Sequence, residues 1–596
     1  MCGICGIYSY NRKIYDYSLI NKMLTKLEHR GPDHEGVLHL EKISLGHRRL
    51  SIIDLSEKSN QPMQDKANGI NLVFNGAIYN YPELRQQLIA KGHSFFSHGD
   101  TEVILRAYQE WGQDCVKHFD GMFAFAIWDE ARQQLFLARD RLGIKPLYYT
   151  THNQQFIFAS TLTALLVNNV NTDIDPISLH YQFSLHAVIP APNTIINSIK
   201  KLSPGHSLTI KSDGQQILKP YWQLNYLHDD DKKNWSEDDW QTAVEEQLNL
   251  AVKKRMTIAD VPVGVLLSGG LDSSLLVALL KNQGIENLHT FSIGFSDIGE
   301  EKGSEFEFSD QVVEQYKTNH QKIIIPNEDV MTRLPEAIQN MSEPMFGQDA
   351  VAFYLLSEQV AKQVKVVQSG QGADELFAGY FWYPQMQKAS GTDVNKFAPF
   401  YVDREHNEYL QSVQPKYQQS DYTSEYLERY FQQLPDNRSF LSKALHLDIT
   451  TLIVDDPVKR VDNMTMAWGL EARVPFLDHH LVELVMQMPS KYKVGSMGLK
   501  HMLKKISRGK IPDSIIDRPK GYFPMPALKY VRGGFLDMMK DTLQSQACIN
   551  RGIYDRSYVQ RLIDEPEAPE NMTRLQGSKL WHMALLELWF QTHLKN

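Results

Sequence analysis

The chain begins with MCGICG, which places Cys2 next to the initiator methionine. A redox Cys-x-x-Cys pair needs a preceding strand, and a zinc site needs about four ligands. Cys115 and Cys548 are isolated, and Cys5 fits a small buried residue. Removal of Met1 would give Cys2 a free α-amine of pKa ~7.7–8.0 beside a thiol of pKa ~8.5. One residue would then supply a nucleophile and its base.

A thiol that attacks an amide carbonyl needs donors for the developing oxyanion. The segment FNGAIYN offers the Asn75 side chain and the Gly76 backbone N–H, although Asn-Gly alone equally fits a turn. Arg49 in GHRRLSI and Asp100 in HGDTEV carry opposite charges. They can hold the carboxylate and ammonium of an α-amino acid, but each alone also fits a solvated surface charge.

A second motif, LLSGGLDSS, begins at Leu266, follows an apolar strand-like run and opens a helical pattern. Glycines allow the backbone to approach phosphate, and a helix N-terminus favours negative charge. The chain has no G-x-x-x-x-G-K-[ST] pattern, which excludes a kinase-type P-loop. The motif therefore predicts a different phosphate-binding loop.

These motifs lie on two kinds of predicted structure. Short apolar runs such as GMFAFAIWD fill roughly the first 220 residues and predict a β-rich layered domain with helices at 17–27 and 102–111. A polar linker follows at about 223–240, and a helix with Val244 and Leu248 on its buried face comes next. Strand and helix patterns then alternate, which favours a parallel α/β sheet, and the chain is mainly helical from about Phe381.

Composition narrows the function classes. The 596 residues favour about two to four domains. A net charge of −9 makes a nucleic-acid partner unexpected. There is no apolar run long enough for a membrane span and no signal-like start. With 4 cysteines, the sequence predicts a cytoplasmic protein without a disulfide framework.

Residues 2 to about 160 resemble the glutaminase domain of class II glutamine amidotransferases. The resemblance rests on MCGICG, HRGPD, GHRRLSI, FNGAIYN, GMFAFAIWD and RDRLGIKPLYY. It implies an N-terminal nucleophile (Ntn) αββα sandwich over residues 2–222, with Cys2 as nucleophile. It also implies glutamine binding by Arg49 and Asp100, and an oxyanion hole at Asn75 and Gly76. The family usually has Glu after Asn-Gly to help hold the glutamine amino group, whereas this chain has Ala at position 77.

The Ser-Gly-Gly loop resembles the pyrophosphate loop of ATP enzymes that form AMP. That resemblance implies ATP binding by Leu267, Ser268, Gly269, Gly270, Asp272, Ser273, Ser274, Ile293, Ser369 and Gly370. It implies Mg²⁺ binding by Asp272 and by Asp374 in SGQGADELFAGY, and charge stabilisation on the leaving pyrophosphate by Lys520 in DRPKGYF. The signature MAWGLEARVPFLD is interpreted as mostly architectural.

Glutaminase followed by synthetase is the order of the asparagine synthetase family. The resemblance implies a parallel-sheet α/β PP-loop ATP pyrophosphatase domain, adenine nucleotide alpha hydrolase-like, with a helical C-terminal part over residues 241–596. It implies an ATP- and Mg²⁺-dependent amidotransferase that passes ammonia through an internal passage to an acyl-adenylate. The expected partners are small molecules, with neither nucleic acid nor membrane; a homodimer is a further expectation.

The identity of the acceptor carboxylate is predicted from positions at which this chain differs from the asparagine synthetases. Asparagine synthetases usually have SGEG where this chain has Gln371, and their Thr/Arg-rich acceptor loop is SEPMFGQDAVAFYLLS here. These features resemble N-acetylglutaminylglutamine amidotransferases, which make an osmolyte dipeptide amide. Tyr380, Trp382 and Tyr383 fit either a larger acceptor pocket or core stacking. The alternatives are an asparagine synthetase that acts on aspartate, and a glutaminase-like protein whose second half only binds nucleotide.

Overall fold

The computed structural model describes residues 2–10, 17–224, 230–297, 302–519, 528, 530–575 and 577–594. This part of the chain forms three main sheets. Its α-helices are α1 (Ser18–Lys26), α2 (Tyr81–Ala90), α3 (Asp100–Trp111), α4 (Leu162–Leu166), α5 (Pro176–Ser184), α6 (Glu237–Thr257), α7 (Leu271–Asn282), α8 (Phe306–Tyr316), α9 (Asn327–Thr332), α10 (Leu334–Gln339), α11 (Asp349–Val360), α12 (Ala373–Phe377), α13 (Trp382–Lys388), α14 (Asp393–Tyr401), α15 (His406–Ser412), α16 (Tyr422–Gln432), α17 (Phe440–Leu447), α18 (Lys459–Met466), α19 (His479–Gln487), α20 (His501–Ser507), α21 (Asp513–Asp517), α22 (Gly533–Gln544), α23 (Gln546–Arg551), α24 (Arg556–Asp564) and α25 (Lys579–His593). None of the helices described is long and apolar enough to cross a bilayer.

The N-terminal part contains two antiparallel sheets of six strands each. The first consists of β1 (Gly3–Ser9), β2 (His34–His39), β3 (Ile43–Arg49), β8 (Tyr148–His152), β9 (Gln155–Ala159) and β10 (Ile199–Lys201). Its strand order is β10-β8-β9-β1-β3-β2. The second consists of β4 (Met63–Asp65), β5 (Ile70–Ile78), β6 (Gly121–Asp129), β7 (Gln134–Arg139), β11 (His206–Ile210) and β12 (Gln216–Pro220). Its order is β12-β11-β7-β6-β5-β4.

The two sheets bury one apolar core between them. Ile4 and Tyr8 of the first sheet share a buried cluster with Val73 and Leu137 of the second. Helix α1 packs on β1 and β3, and α3 packs on β5, so helices cover the sheets. Because apolar side chains fill both faces of the central strands, these strands appear in the sequence as long apolar runs. The predicted Ntn αββα sandwich is confirmed.

The third sheet is parallel and has five strands. They are β13 (Val263–Leu266), β14 (His289–Phe295), β15 (Asn319–Ile325), β16 (Val366–Gln368) and β17 (Glu471–Arg473). Their order is β15-β14-β13-β16-β17. Parallel strands place their carboxyl ends at one edge, where α/β folds bind ligands. The predicted parallel α/β sheet and the mainly helical C-terminal part are both confirmed.

Helix α6 connects the two kinds of domain. The side chain of Ser236 and that of Asp239 form a reciprocal capping box at its start. Val244 and Leu248, expected on the buried face, are fully buried. The structure describes only part of the predicted linker at 223–240, because residues 225–229 lie outside the described ranges.

Buried ion pairs connect the N-terminal sandwich to the parallel-sheet part. Arg30 contacts Asp462 at 2.9 Å, and Lys145 contacts the same acid at 3.3 Å. Lys201 of β10 contacts Glu343 at 3.1 Å. Removing one member of a buried pair leaves an uncompensated charge and costs about 3–5 kcal/mol. These contacts therefore hold the two parts in a defined arrangement, which positions the sites described next.

Candidate active sites

The first candidate site lies where β1 begins beside the middle of the second sheet. Cys2 directly precedes β1 and is buried, and its backbone N–H donates to Oδ1 of Asn75 in β5 at 3.0 Å. The Asn75 side chain is fully buried, and its Nδ2 has no hydrogen-bond partner in the described chain. A buried donor without a partner is costly. Nδ2 of Asn75 belongs to the side chain that contacts Cys2, and this position suits a donor to the oxyanion.

Gly76 follows Asn75 and lines the same cavity. A Cβ at this position would overlap the carbonyl oxygen of Met122 in β6. Only glycine therefore allows β5 to pass this close to its neighbour while its backbone faces the cavity. Ala77 comes next, is buried, and offers no charged group to the site.

Two predicted glutamine-binding side chains of opposite charge also line the cavity. Arg49 ends β3, and its guanidinium donates to the Ser56 carbonyl oxygen at 2.9 Å and to Oδ1 of Asn60 at 2.7 Å. Asp100 begins α3, and its carboxylate accepts from the Ile78 N–H at 3.0 Å. Burial raises the pKa of Asp100 to about 7, although this hydrogen bond opposes the rise. The pair matches the two charges of a free α-amino acid.

The environment of the Cys2 thiol disfavours its ionised form. Burial raises the pKa of the Cys2 thiol, and the Leu50 backbone and the Arg49 charge counteract this only in part. His47 is not among the described residues that line the cavity, its Nε2 lies 3.2 Å from the Phe74 carbonyl oxygen, and burial lowers its pKa to about 3. A base close to Cys2 is therefore needed, which fits the predicted use of its own amine. Met1 lies outside the described residues.

The cavity also contains a carboxylate that the sequence did not suggest. Glu471, the first residue of β17 in the parallel sheet, lines it together with Cys2 and Asp100. Glu471 is 1% exposed and pairs with Arg473 at 2.6 Å. Burial disfavours its charge, but surrounding positive groups, Arg473 among them, lower the pKa of Glu471 to about 2. No local spacing could place this residue beside Cys2, and its signature was interpreted as architecture.

The second candidate site lies at the carboxyl end of the parallel sheet. Strand β13 ends at Leu266 and α7 begins at Leu271, so the Ser-Gly-Gly turn joins them directly. The backbone N–H of Ser268 donates to Oγ of Ser273 at 3.2 Å, which closes the turn. A cavity of about 570 Å³ opens here, and the predicted residues that line it are Leu267, Ser268, Gly270, Asp272, Ser273, Ile293, Ser369, Gly370 and Asp374.

Two other predicted ATP-binding residues do not line this cavity. The backbone of Gly269 packs against Phe308 and Ser309 of α8. Ser274 lies in the first turn of α7, is fully buried, and donates its N–H to the Gly270 carbonyl oxygen at 3.0 Å. The phosphate-binding roles of Gly269 and Ser274 remain predictions.

Lys500 lies between the two carboxylates predicted to hold Mg²⁺. Its Nζ is 2.6 Å from Oδ2 of Asp272 and 2.8 Å from Oδ1 of Asp374. Burial disfavours the charge of Lys500, but the two acids raise its pKa above the usual value. Gly379 approaches so closely that a Cβ would overlap the Asp374 carboxylate. The ammonium stands in for a cation, and the all-oxygen donor pair fits Mg²⁺.

The other predicted lysine, Lys520, lies outside the described residues. Lys504 and Arg518 are further basic side chains that line the cavity. Arg518 pairs with Glu305 at 3.1 Å, so part of its charge is already balanced. Sequence reasoning missed Lys500 and Lys504, which belong to no recognised motif, and Arg518, because in DRPKGYF only Lys520 was given a role.

The region expected to bind the acceptor contains a neutral amide and a balanced charge cluster. Gln371 and Asp349 line the same cavity. Nη1 of Arg460, from α18, contacts Asp349 at 3.1 Å and Asp456 at 2.8 Å. Residues 342–357 contain no arginine, and the guanidinium beside Asp349 comes from a distant helix. Its single positive charge faces two acids.

The aromatic residues near this region pack with each other. Tyr380 stacks on Trp382 with ring centroids 4.2 Å apart. Tyr383 is fully buried, and its hydroxyl donates to Asp448. In the described chain these three aromatics are not among the residues that line the cavity. The core-stacking alternative therefore accounts for their positions.

Comparison with known proteins adds two family matches and full-length relatives. A family model described as asparagine synthase matches residues 243–591. A second, described as glutamine amidotransferase domain, matches residues 1–222.

Asparagine synthetase (glutamine-hydrolyzing) 1 of Bacillus subtilis (strain 168) is 30% identical over 635 residues, which cover 100% of this chain and 97% of the relative. Asparagine synthetase (glutamine-hydrolyzing) 3 of the same strain is 31% identical over 621 residues, with 100% and 99% covered. Amidase chry2 of Gibberella zeae is 28% identical over 611 residues, with 91% and 90% covered.

Proposed function

This chain belongs to the asparagine synthetase family and is a glutamine-dependent carbon–nitrogen ligase; from that premise we propose that it converts a substrate carboxylate to a carboxamide while ATP is cleaved to AMP and pyrophosphate. The observation that carries the proposal is the pairing of two cavities in one chain. One contains Cys2 and the other is built on the Ser-Gly-Gly turn. The first suits amide hydrolysis, and the second suits a triphosphate.

In the first cavity, Sγ of Cys2 attacks the amide carbon of glutamine while the Cys2 amine takes the thiol proton. Nδ2 of Asn75 and the Gly76 N–H donate to the oxyanion, and the unpartnered state of that Nδ2 supports this role. The C–N bond breaks and ammonia leaves with the proton that the amine returns. Water then hydrolyses the thioester to glutamate. Arg49 binds the substrate carboxylate and Asp100 its ammonium.

In the second cavity, the acceptor carboxylate attacks the α-phosphate of ATP and pyrophosphate leaves. Ammonia then displaces AMP from the acyl-adenylate. Asp272 and Asp374 would hold Mg²⁺, which when bound offsets the negative charge of the phosphates. Ser268 and Ser273 donate to the β,γ-phosphates, and Lys520 stabilises the leaving pyrophosphate. Ammonia travels inside the protein because in water it is mostly ammonium, which is not a nucleophile.

We infer that the acceptor is neutral apart from its reacting carboxylate, and that N-acetylglutaminylglutamine is the substrate. Gln371 adds an uncharged amide to the cavity. Arg460 has no spare charge for a second acceptor carboxylate, because Asp349 and Asp456 both contact it. A buried acceptor charge without a partner would be costly. These features support a neutral acceptor more than they support aspartate.

Aspartate is the second candidate. Two of the relatives are named asparagine synthetases and align along the whole chain. Arg460 also gives aspartate a guanidinium for its α-carboxylate, and Asp349 beside it can accept from the α-ammonium. A third relative is named an amidase, so the names of the relatives do not agree on aspartate as the acceptor.

The acceptor is tested by incubating the protein with glutamine, Mg-ATP and either aspartate or the acetylated dipeptide. AMP, glutamate and the amide product are quantified by chromatography and mass spectrometry. We expect the dipeptide to give a kcat/KM at least about tenfold above that of aspartate. Asparagine formation of comparable efficiency would refute the dipeptide assignment. No AMP with either acceptor would favour a glutaminase whose second half only binds nucleotide.

The roles of the two sites are tested by Cys2→Ala and Asp272→Ala. Cys2→Ala should abolish glutamine-driven amide synthesis and leave ammonium-driven synthesis. Loss of both activities would make Cys2 structural. Asp272→Ala should stop AMP formation while glutamine hydrolysis persists. Intact-mass measurement of active protein should show that Met1 is absent.

A further inference from the structure

Among the described residues that line the Cys2 cavity, Glu471 carries a charge that the proposed chemistry does not use. We propose that Glu471 binds the α-ammonium of glutamine jointly with Asp100, so that both parts of the chain recognise this substrate. The inference rests on the proposed glutaminase role of the Cys2 cavity. It assigns a substrate-binding residue to the synthetase part of the chain.

The lining of the cavity supports this assignment. Among the described residues, its charged side chains are one cation, Arg49, and two acids, Asp100 and Glu471. The guanidinium of Arg49 is oriented by the contacts with Ser56 and Asn60. Glutamine brings one carboxylate and one ammonium, so Arg49 can bind the carboxylate while both acids contact the ammonium. An ammonium also has three N–H donors, which one carboxylate rarely satisfies.

The two acids act on each other before substrate arrives. Glu471 contributes to the elevated pKa of Asp100, after the larger effect of burial. Two carboxylates in one buried cavity repel, and a cation between them removes that repulsion. Ala77 offers no carboxylate to the cavity from β5. Strand β17 supplies the second acid.

Glu471 is held in place independently of substrate. Its backbone N–H donates to the Lys365 carbonyl oxygen at 2.8 Å, and its Oε1 contacts Nε of Arg473 at 2.6 Å. Arg473 in turn donates to the carbonyl oxygens of Arg255 at 2.8 Å and Ile258 at 2.7 Å. These contacts fix the carboxylate on the cavity wall. A preorganised acid adds affinity without an ordering cost.

The test uses Glu471→Gln in the full chain and measures ammonia release without ATP or acceptor. L-Glutamine is compared with glutaramate, which has the same amide and carboxylate but lacks the α-amine. We expect the KM for L-glutamine to rise about tenfold or more, as for loss of a hydrogen bond to a charged group. The kcat should change less than about threefold, and glutaramate should bind equally to both proteins, as substrate or as inhibitor.

The matched control is Asp478→Asn, which removes the acid partner of another buried arginine, Arg255 (2.9 Å), outside the cavity. Its glutamine KM should equal that of the wild type. An unchanged KM in Glu471→Gln, or equal weakening of L-glutamine and glutaramate, would overturn the inference. If Glu471→Gln does not fold, Glu471→Asp replaces it, with an expected KM increase of about threefold. A wild-type protein that releases no glutamate would refute the proposed function itself.

Discussion

Replacing Lys500 by methionine removes a charge that lies between two acids and keeps a side chain of similar length. The Lys500 ammonium contacts Asp272 at 2.6 Å and Asp374 at 2.8 Å, and its side chain is 9% exposed. Removing one partner from such a buried cluster costs about 3–5 kcal/mol. The backbone at this position has a φ of +54°, and both side chains experience that conformation equally. The difference in unfolding free energy between the wild type and Lys500→Met therefore reports the loss of the positive charge.

Mg²⁺ should reverse much of this loss. In Lys500→Met the two acids repel, and a divalent cation can take the place of the ammonium. We expect the variant to bind Mg²⁺ in the absence of ATP at least about tenfold more tightly than the wild type, where Lys500 competes. At a Mg²⁺ concentration 100 times the Kd, binding returns about 2.7 kcal/mol. The rate of ATP–pyrophosphate exchange should nevertheless fall about 100-fold or more, because a cation is missing beside the phosphates.

Two measurements check these expectations: calorimetric titration with MgCl₂ without nucleotide, and thermal unfolding with and without MgCl₂. Lys504→Met is the control, because Lys504 lines the same cavity but its Nζ donates to the Met497 carbonyl oxygen at 3.1 Å instead of pairing with these acids. It should show neither tighter Mg²⁺ binding nor Mg²⁺-dependent recovery. If Lys500→Met binds Mg²⁺ no better than the wild type, Asp272 and Asp374 do not form one cation site.

Three further predictions concern the glutaminase site and the contact between domains. Because the pKa of Asp100 is about 7 and its ionised form must bind the ammonium, the glutamine KM should rise as pH falls from about 8 to 6. Asp100→Asn should have a high KM that no longer varies over this range. Asn75→Ala should lower the kcat of glutamine hydrolysis about 100-fold with little change in KM, measured as glutamate release. Glu343→Gln should cost about 1–3 kcal/mol, seen as a lower unfolding temperature with an unchanged glutamine KM, because Lys201 loses one acid partner and keeps Asp455.

Local motifs predicted much of both sites because each motif occupies one strand end or one turn. Asn75 and Gly76 are adjacent in β5, and the Ser-Gly-Gly turn joins one strand to one helix, so sequence order conveys their geometry. Cys2 meets Asn75 only because two sheets stack, and here the resemblance to a known domain, not the spacing, made the prediction. The architecture of both parts was predicted in the same way, whereas strand order was not.

The residues that sequence reasoning missed are those brought in by distant elements. Glu471 reaches the Cys2 cavity from the edge strand of another sheet. Arg460 reaches Asp349 from α18, and Lys500 reaches Asp272 from the segment before α20. No periodicity connects such positions, because their proximity depends on how the domains dock. Ser274 is fully buried in the first turn of α7, and its predicted phosphate contact stays a prediction.

Strand β17 touches both candidate sites and therefore links them. Glu471 begins it at the Cys2 cavity, and the Arg473 carbonyl oxygen at its other end accepts from the N–H of Ser369, which lines the second cavity, at 2.9 Å. The strand has 3 residues, so a shift of Ser369 on ATP binding would pass through the Arg473 carbonyl oxygen to Glu471 at the other end. Coupling of binding is reciprocal: the factor by which bound ATP changes the affinity for glutamine equals the factor by which bound glutamine changes the affinity for ATP. We expect ATP to lower the glutamine KM several-fold in the wild type and to have no effect in Glu471→Gln, measured as glutamate release without acceptor. A wild-type KM that is indifferent to ATP would show that the two ends of β17 respond independently.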